Sequence, residues 1–385
     1  MGGLKVLIVN TAFASFAGTE TYSRDLALQL QRKGHSPIVY SAELGPIAKE
    51  LRRATVPVVD NLNLVGVVPD IIHGNHNTEL ITALLYFDSV PAVFYCHSWN
   101  AWVSAPPSHP RILAYVAVDD TCRDRLVCEH SIPESRVLVH LNAVDLERFR
   151  PRGPLPPRPA RALVFSNYAN QWTHLNAVRE ACDRAGLKLD VVGSGVKTST
   201  EHPESLLPEY DLVFAKARCA QEAMAVGTAV VLCDAAGCGP MVTTQEFERL
   251  RRQNFGIRAL NEKVDVEGLM KEIARYNAGD AAEVSRMVRS NSDLTLLVDE
   301  VVNLYYEVIE QFRSYQRQPT EENRAAAEYL RWMTLTVRRS QADFEAMMSN
   351  SLTFRLRNAI GRVPLADKLI RPLASLASRG NFRSP

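Results

Sequence analysis

Residues 4–9 form a short apolar run that ends at Asn10. Helical spacing follows over residues 19–33, with Tyr22, Leu26, Ala27 and Leu30 on one face and Gly34 as the stop. A second apolar run occupies residues 37–41, and others follow at 70–73, 92–96, 112–118 and 136–141. Each is four to seven residues long, and helical stretches separate them. Short apolar runs alternating with helices predict βαβ units, hence a parallel sheet covered on both faces.

Residues 150–159 interrupt this pattern with five prolines in ten positions. Proline cannot continue a helix interior or a central strand, so an extended linker is expected at 151–160. The alternation then restarts, with strands expected at 162–166, 187–193, 211–215 and 229–234 and helices at 171–184 and 220–226. From about residue 264 the strands stop, and 265–276, 281–290, 293–312 and 320–348 carry helical patterns. The expected organisation is a first Rossmann-like domain over 1–150, the linker, a second over 161–315, and a helical extension over 316–385.

A chain of 385 residues suits two such domains plus an extension. Apolar residues make up 46% and charged residues 23%, a soluble globular composition. The net charge of +1 disfavours nucleic acid as a partner. No apolar run is long enough to span a bilayer, and the first residues lack the basic head of a secretory signal. The seven cysteines form no C-x-x-C pair, and Cys96, Cys182 and Cys233 sit in or beside apolar runs as small buried hydrophobes. A reduced, cytoplasmic protein is expected. The end of the chain, 351–385, sets Arg355, Arg357, Arg362, Lys368, Arg371, Arg379 and Arg383 against one acid, Asp367, among interleaved Leu, Ile and Phe. That composition fits an ordinary surface helix. It also fits a shallow grip on anionic lipid at the inner face of a membrane.

The candidate chemistry lies where strands meet helices. Gly18-Thr19-Glu20 opens the first helix, where a glycine lets backbone amides approach a ligand and Thr19 is the expected N-cap; a plain capped helix start fits as well. His97 ends the run 92–96, and a neutral imidazole at a strand's carboxyl end can hydrogen-bond a ligand hydroxyl. His73 and His76 are close in sequence, but no third ligand at metal spacing accompanies them, and no metal is expected. Gly193-Ser194-Gly195 follows a strand and could cradle a diphosphate, with Lys197 close behind. Lys216 and Arg218 flank the start of the helix that carries Glu222, where two cations suit a diphosphate. Gly239 follows the next strand and is a candidate wall of the same pocket.

The run from Gln221 to Val231, QEAMAVGTAVV, resembles the donor-binding signature of the family 4 retaining glycosyltransferases. Other segments support this resemblance. Gly18-Thr19-Glu20 is followed by Leu26, Leu30 and Gly34-His35; Pro91 to His97 matches the strand ending in histidine; and Ile132-Pro133 to Pro151 matches the family's hinge. Ala17 and Ala143 stand where glycine is usual, and Phe214 stands where the first of two paired glutamates is usual. The resemblance covers residues 4–245 and more weakly extends to 315.

It implies a GT-B architecture, two Rossmann-like domains facing a central cleft, that transfers a sugar from a UDP- or GDP-linked donor with retention and without metal or cofactor. It implies that His97 contacts the donor sugar and Glu222 the ribose hydroxyls. Gly193, Gly195, Lys197, Lys216, Arg218 and Gly239 would form the donor side, and Gly18, Thr19, Glu20 and His73 the acceptor side. The acceptor would be a glycan, a lipid-linked sugar or a small molecule. Two other readings remain open, a non-catalytic nucleotide-sugar-binding or scaffold protein and a nucleotide-sugar 2-epimerase.

Overall fold

A computed structural model describes residues 2–350. The basic amphipathic stretch 351–385, expected as a lipid-binding or surface helix, lies outside the described residues. The first sheet has seven strands, all parallel. In spatial order they are Val58–Val59, Ser36–Tyr40, Lys5–Val9, Ile71–Gly74, Ala92–Cys96, Ile112–Ala117 and Val137–Val139. The chain starts on Lys5–Val9, winds to one side, then returns to its other side at Ile71–Gly74. The carboxyl ends of these two strands therefore flank a crevice, the usual ligand position in an open parallel sheet. Helices Gly18–Arg32, Pro46–Arg53 and Asn77–Tyr86 make the crossovers, and Tyr22, Leu26, Ala27 and Leu30 are buried as the helical spacing predicts.

The second sheet runs Lys188–Val192, Arg161–Phe165, Leu212–Ala215, Ala229–Asp234 and Gly237–Met241, the last antiparallel. That last strand was not expected, since its GCGPM sequence has neither alternation nor β-branching. Helices Leu175–Arg184 and Ala217–Val226 pack on this sheet, with apolar clusters on both faces.

Packing moves the expected domain boundaries. Val144 and Phe149, within the 1–150 range expected for the first domain, pack in the second domain's core. Helix Leu294–Arg313, assigned by sequence to the second domain, instead buries Leu297, Val301, Leu304, Tyr305 and Val308 in the first domain's core. The outgoing and returning chains touch where they cross. Val144 N donates to Ser292 O at 2.8 Å, and Leu294 N donates to Val144 O at 3.1 Å. The linker itself is strapped to the second domain through Arg152 N to Val226 O at 2.8 Å and Tyr276 OH to Pro156 O at 2.9 Å.

Among the described residues, those from 323 to 350 belong to a separate unit and lie on a helix that spans Pro319–Asn350. Among the described residues no helix is long and apolar enough to cross a membrane.

Candidate functional site

Strand Leu212–Ala215 passes into helix Ala217–Val226 through Lys216 alone. Such an abrupt turn forces Ala217 to φ +49°, a left-handed conformation costly for alanine, and its amide donates to Phe255 O at 2.7 Å. Gly227, at φ +103°, caps the other end in the left-handed form that favours glycine. The helix begins three residues before the expected position, which places Glu222 in its second turn rather than at its start. The one-residue turn also leaves no loop to carry a first glutamate. Phe214, the position aligned with it, is fully buried within the strand.

Glu222 is buried and faces the first domain. Its Oε1 accepts from Arg218 Nε at 2.7 Å, and Arg218 also donates to Asp25 on helix Gly18–Arg32. Asp25 in turn pairs with Arg24 at 2.7 Å. One guanidinium thus bridges a carboxylate from each domain. Burial alone would lower the pKa of Arg218, but Asp25 and Glu222 outweigh it and hold that pKa above the ordinary value. Burial raises Asp25, yet Arg218 and Arg24 overcome this and keep it below the ordinary carboxylate value. Glu222 has only a share of Arg218, so burial leaves its pKa raised.

A cavity of ≈ 150 Å³ opens beside this bridge. The first domain lines it with Phe16, Gly18, Thr21 and Arg24, and the second with Ser166, Asn167, Gly193, Arg218, Cys219 and Glu222; Arg148 completes the wall. A Cβ on Gly18 would meet nothing within 4 Å, so this glycine keeps the wall open rather than relieving a clash.

Several expected roles change. The N-cap of the first helix is Ala17, without a side-chain bond, and Thr19 lies inside the helix. Glu20 turns back to accept from Ser15 N at 2.8 Å and pins its own loop. His73 cannot line an acceptor surface. It is fully buried, with Nδ1 2.7 Å from Tyr305 OH and Nε2 3.3 Å from Asn75 Oδ1. His97 is half-buried and lines none of the cavities described, its Nε2 2.8 Å from Asn75 Oδ1 and its ring 4.6 Å from that of Tyr22.

The expected diphosphate cradle is closed. Every amide from Gly193 to Thr198 donates within the protein, to Thr198 O, Asn167 Oδ1, Asn167 O, Gly193 O, Ser194 O and again Gly193 O. A Cβ on Gly193 would lie 1.9 Å from Ser166 O, and one on Gly195 2.4 Å from Ala169 O, so both glycines serve close backbone packing. Gly239 packs the same way, with a Cβ there meeting Ala259 O at 2.3 Å, and it lines none of the cavities described. Lys197 is exposed and away from the cavity. Lys216 stands at the helix start, 3.3 Å from Asp234 Oδ2 and over the Tyr168 ring.

Sequence reasoning missed Arg24, Asp25, Asn75 and Tyr305, which are ordinary polar or aromatic positions on helices or at a strand end until the fold assembles them. His174 was also missed; it is buried near Asp234 and Lys216, and neither ring nitrogen has a partner among the described residues. Among the described residues no cluster of three or more His, Cys, Asp or Glu could hold a metal ion.

Neither a family model nor a curated protein sequence matches the chain. Solved structures do. Anabaena HepE in complex with UDP and glucose superposes with a TM-score of 0.59 at 14% identity, over 78% of this chain and 99% of that one. A glycosyltransferase from Rickettsia africae gives 0.57 at 16%, over 80% and 99%. The proposed UDP-N-acetylglucosamine 2-epimerase of Listeria monocytogenes gives 0.52 at 12%, over 83% and 100%. At these identities the likeness is one of fold. The chain has the GT-B architecture of these glycosyltransferases, with two Rossmann-like domains around one cleft and a helical segment beyond them.

Proposed function

We infer that the chain is a glycosyltransferase that binds a nucleotide-sugar in the cleft and transfers the sugar to an acceptor hydroxyl, with retention and without metal. The observation that carries this reading is the cavity built jointly by the two domains around Glu222. Glu222 Oε1 is taken by Arg218, while Oε2 has no hydrogen-bond partner among the described residues and suits a ribose hydroxyl. A diphosphate at the start of helix Ala217–Val226 would meet Arg218, with Lys216 nearby, and would compete with Asp25 for the guanidinium. His97 would then reach the sugar from the first domain. HepE, on the same fold, was solved with UDP-glucose, and a UDP-linked donor is the first choice here. An acceptor would enter past Gly18 and Thr21, and closure of the domains would exclude water, whose attack on the donor is the competing reaction. Attachment to the inner membrane face would require the basic stretch 351–385.

A second reading is favoured by one observation. The one-residue turn at Lys216 leaves no place for the carboxylate that, in the resembling family, holds the transferred sugar. A nucleotide-sugar-binding protein without turnover would keep the Glu222 pocket and lack that group. The epimerase reading gains nothing from the cleft carboxylates, since Glu20 is held by Ser15 and Asp25 by two arginines.

The test is a metal-free thermal-shift panel of UDP-, GDP-, ADP-, CDP- and dTDP-sugars, followed by donor hydrolysis and transfer assays. One nucleotide class should raise the unfolding midpoint, by roughly 2.7 kcal/mol of added stability at a hundredfold excess over Kd. Glu222→Ala should abolish the shift. A shift that survives in Glu222→Ala would refute the site, and a shift without turnover would favour the binding protein.

A further inference from the structure

His97 and His73 share one acceptor. Asn75 Oδ1 lies 2.8 Å from His97 Nε2 and 3.3 Å from His73 Nε2. The opposite side of the amide fixes its orientation. Asn75 Nδ2 lies 2.9 Å from Ser23 Oγ and 3.4 Å from the Val9 carbonyl. A carbonyl only accepts, and Ser23 already gives its hydroxyl hydrogen to Thr19 O at 2.8 Å. Both therefore need a donor, and the group facing them is the NH₂. The amide oxygen faces the two imidazoles, so each must donate from Nε2.

A neutral imidazole carries a single proton, which leaves Nδ1 bare on both rings. On His73 the bare nitrogen accepts from the Tyr305 hydroxyl at 2.7 Å. On His97 it has no partner among the described residues. Burial keeps both rings neutral, with the pKa of His73 lowered to about 3 and that of His97 well below its ordinary value, where His76 and His73 add to the effect of burial. Tyr305, His73 and Asn75 are fully buried, whereas His97 is half-buried at the carboxyl end of its strand. The four side chains thus run from the interior to half-buried His97, and the inner end of the series belongs to the helix that returns from the second domain.

We propose that Asn75, backed by His73 and Tyr305, is a positioning residue that fixes half-buried His97 as the Nε2–H tautomer and so leaves it a bare Nδ1, the acceptor for a ligand hydroxyl. A sugar hydroxyl can donate to that nitrogen; a phosphate oxygen, which only accepts, cannot. The tautomer follows from the protein alone, while the hydroxyl rests on the nucleotide-sugar reading above. The groups facing His97 are Tyr22 from helix Gly18–Arg32, His73, Asn75 and His76 around strand Ile71–Gly74, and Tyr95 on its own strand. None carries a charge at neutral pH.

Ring-¹⁵N-histidine NMR on the full chain tests this, with the His97 signals assigned by their loss in His97→Gln. The expected spectrum at neutral pH has one exchange-protected proton on His97 Nε2 and an unprotonated Nδ1. Asn75→Leu should abolish that protection. Asn75→Asp, which keeps an acceptor, should retain the proton and raise the pH at which His97 gains a second one. A proton on Nδ1 in the wild type would overturn the proposal, as would unchanged protection in an Asn75→Leu protein with a native amide fingerprint. Should Asn75→Leu fail to fold, an unshifted His97 titration in Asn75→Asp would overturn it instead. A nucleotide-sugar should move the Nδ1 resonance while its nucleoside diphosphate does not. A stabilising nucleotide-sugar that leaves Nδ1 unmoved would refute the hydroxyl contact and leave the tautomer standing.

Discussion

Arg218 and Arg111 use the same side chain for opposite ends. Arg218 sits between carboxylates of two domains at the edge of a cavity, where a ligand's phosphates can exchange with Asp25. Arg111 is sealed in. It donates to Phe87 O at 2.6 Å, Val90 O at 2.9 Å and Leu84 O, and pairs with Glu322 at 3.0 Å. It therefore closes the end of helix Asn77–Tyr86 and anchors the start of the long C-terminal helix. Arg111→Met would leave three buried carbonyls without this donor and take one of its two arginines from Glu322, which keeps Arg317, and urea unfolding should show a loss of about 3–5 kcal/mol. Glu322 adds a pH signature. Burial raises its pKa, but Arg317 and Arg111 overcome that and hold it below the ordinary value. A depressed carboxylate contributes stability above its unfolded pKa, and that contribution is lost as pH falls through the folded pKa. The stability difference between wild type and Arg111→Met should shrink in acid below the ordinary carboxylate range.

Helix Leu294–Arg313 shows how an element's sequence can be legible while its partner is not. Its spacing of Leu297, Val298, Val301, Val302, Tyr305 and Val308 declares an amphipathic helix. Nothing in that stripe says which sheet it covers, because any apolar face of similar width would satisfy it. The structure places it on the first domain, beside helix Gly18–Arg32. Leu304→Ala should therefore cost about 2–5 kcal/mol. Hydrogen exchange should show faster opening of strands Lys5–Val9 and Ala92–Cys96, with Leu212–Ala215 unchanged. Equal loosening of both sheets would show that the helix does not belong to the first domain's cooperative unit. The strand–helix turn at Lys216 is the converse case. Its motif residues were readable, but its length was not, because the sequence reading let the helix start at 220 and so left room for a loop.

For the molecule as a whole, the buried histidines set an acid limit. Burial lowers His73 to about 3 and His76, His109 and His140 to about 4, from an ordinary value of 6.5. The unfolded chain then binds more protons than the folded one below the ordinary value. Stability must fall as pH drops from about 6.5 towards 4, by up to about 1.4 kcal/mol per pH unit for each histidine. Thermal unfolding across this range should show a steady decline that begins above the carboxylate range. A flat midpoint from pH 7 to 5 would mean that these rings are solvated.

The sequence by itself determined the class of each half. Runs such as 92–96 and 229–233 are apolar throughout, which suits a strand covered on both faces, and alternation with helices leaves a parallel sheet as the solution. It also determined that Cys96, Cys182 and Cys233 are buried, and that a glutamate on a glycine-terminated helix stands near a crevice. These are local properties of period, composition and turn chemistry. Tertiary structure alone decided that Gly193 and Gly195 serve backbone packing, that Glu20 and His73 face inward, and that Arg218 is shared with Asp25, 193 residues away in sequence. Hydrogen bonds and charge pairs are satisfied by whichever partner the fold brings within about 3 Å, and no spacing along the chain encodes that partner.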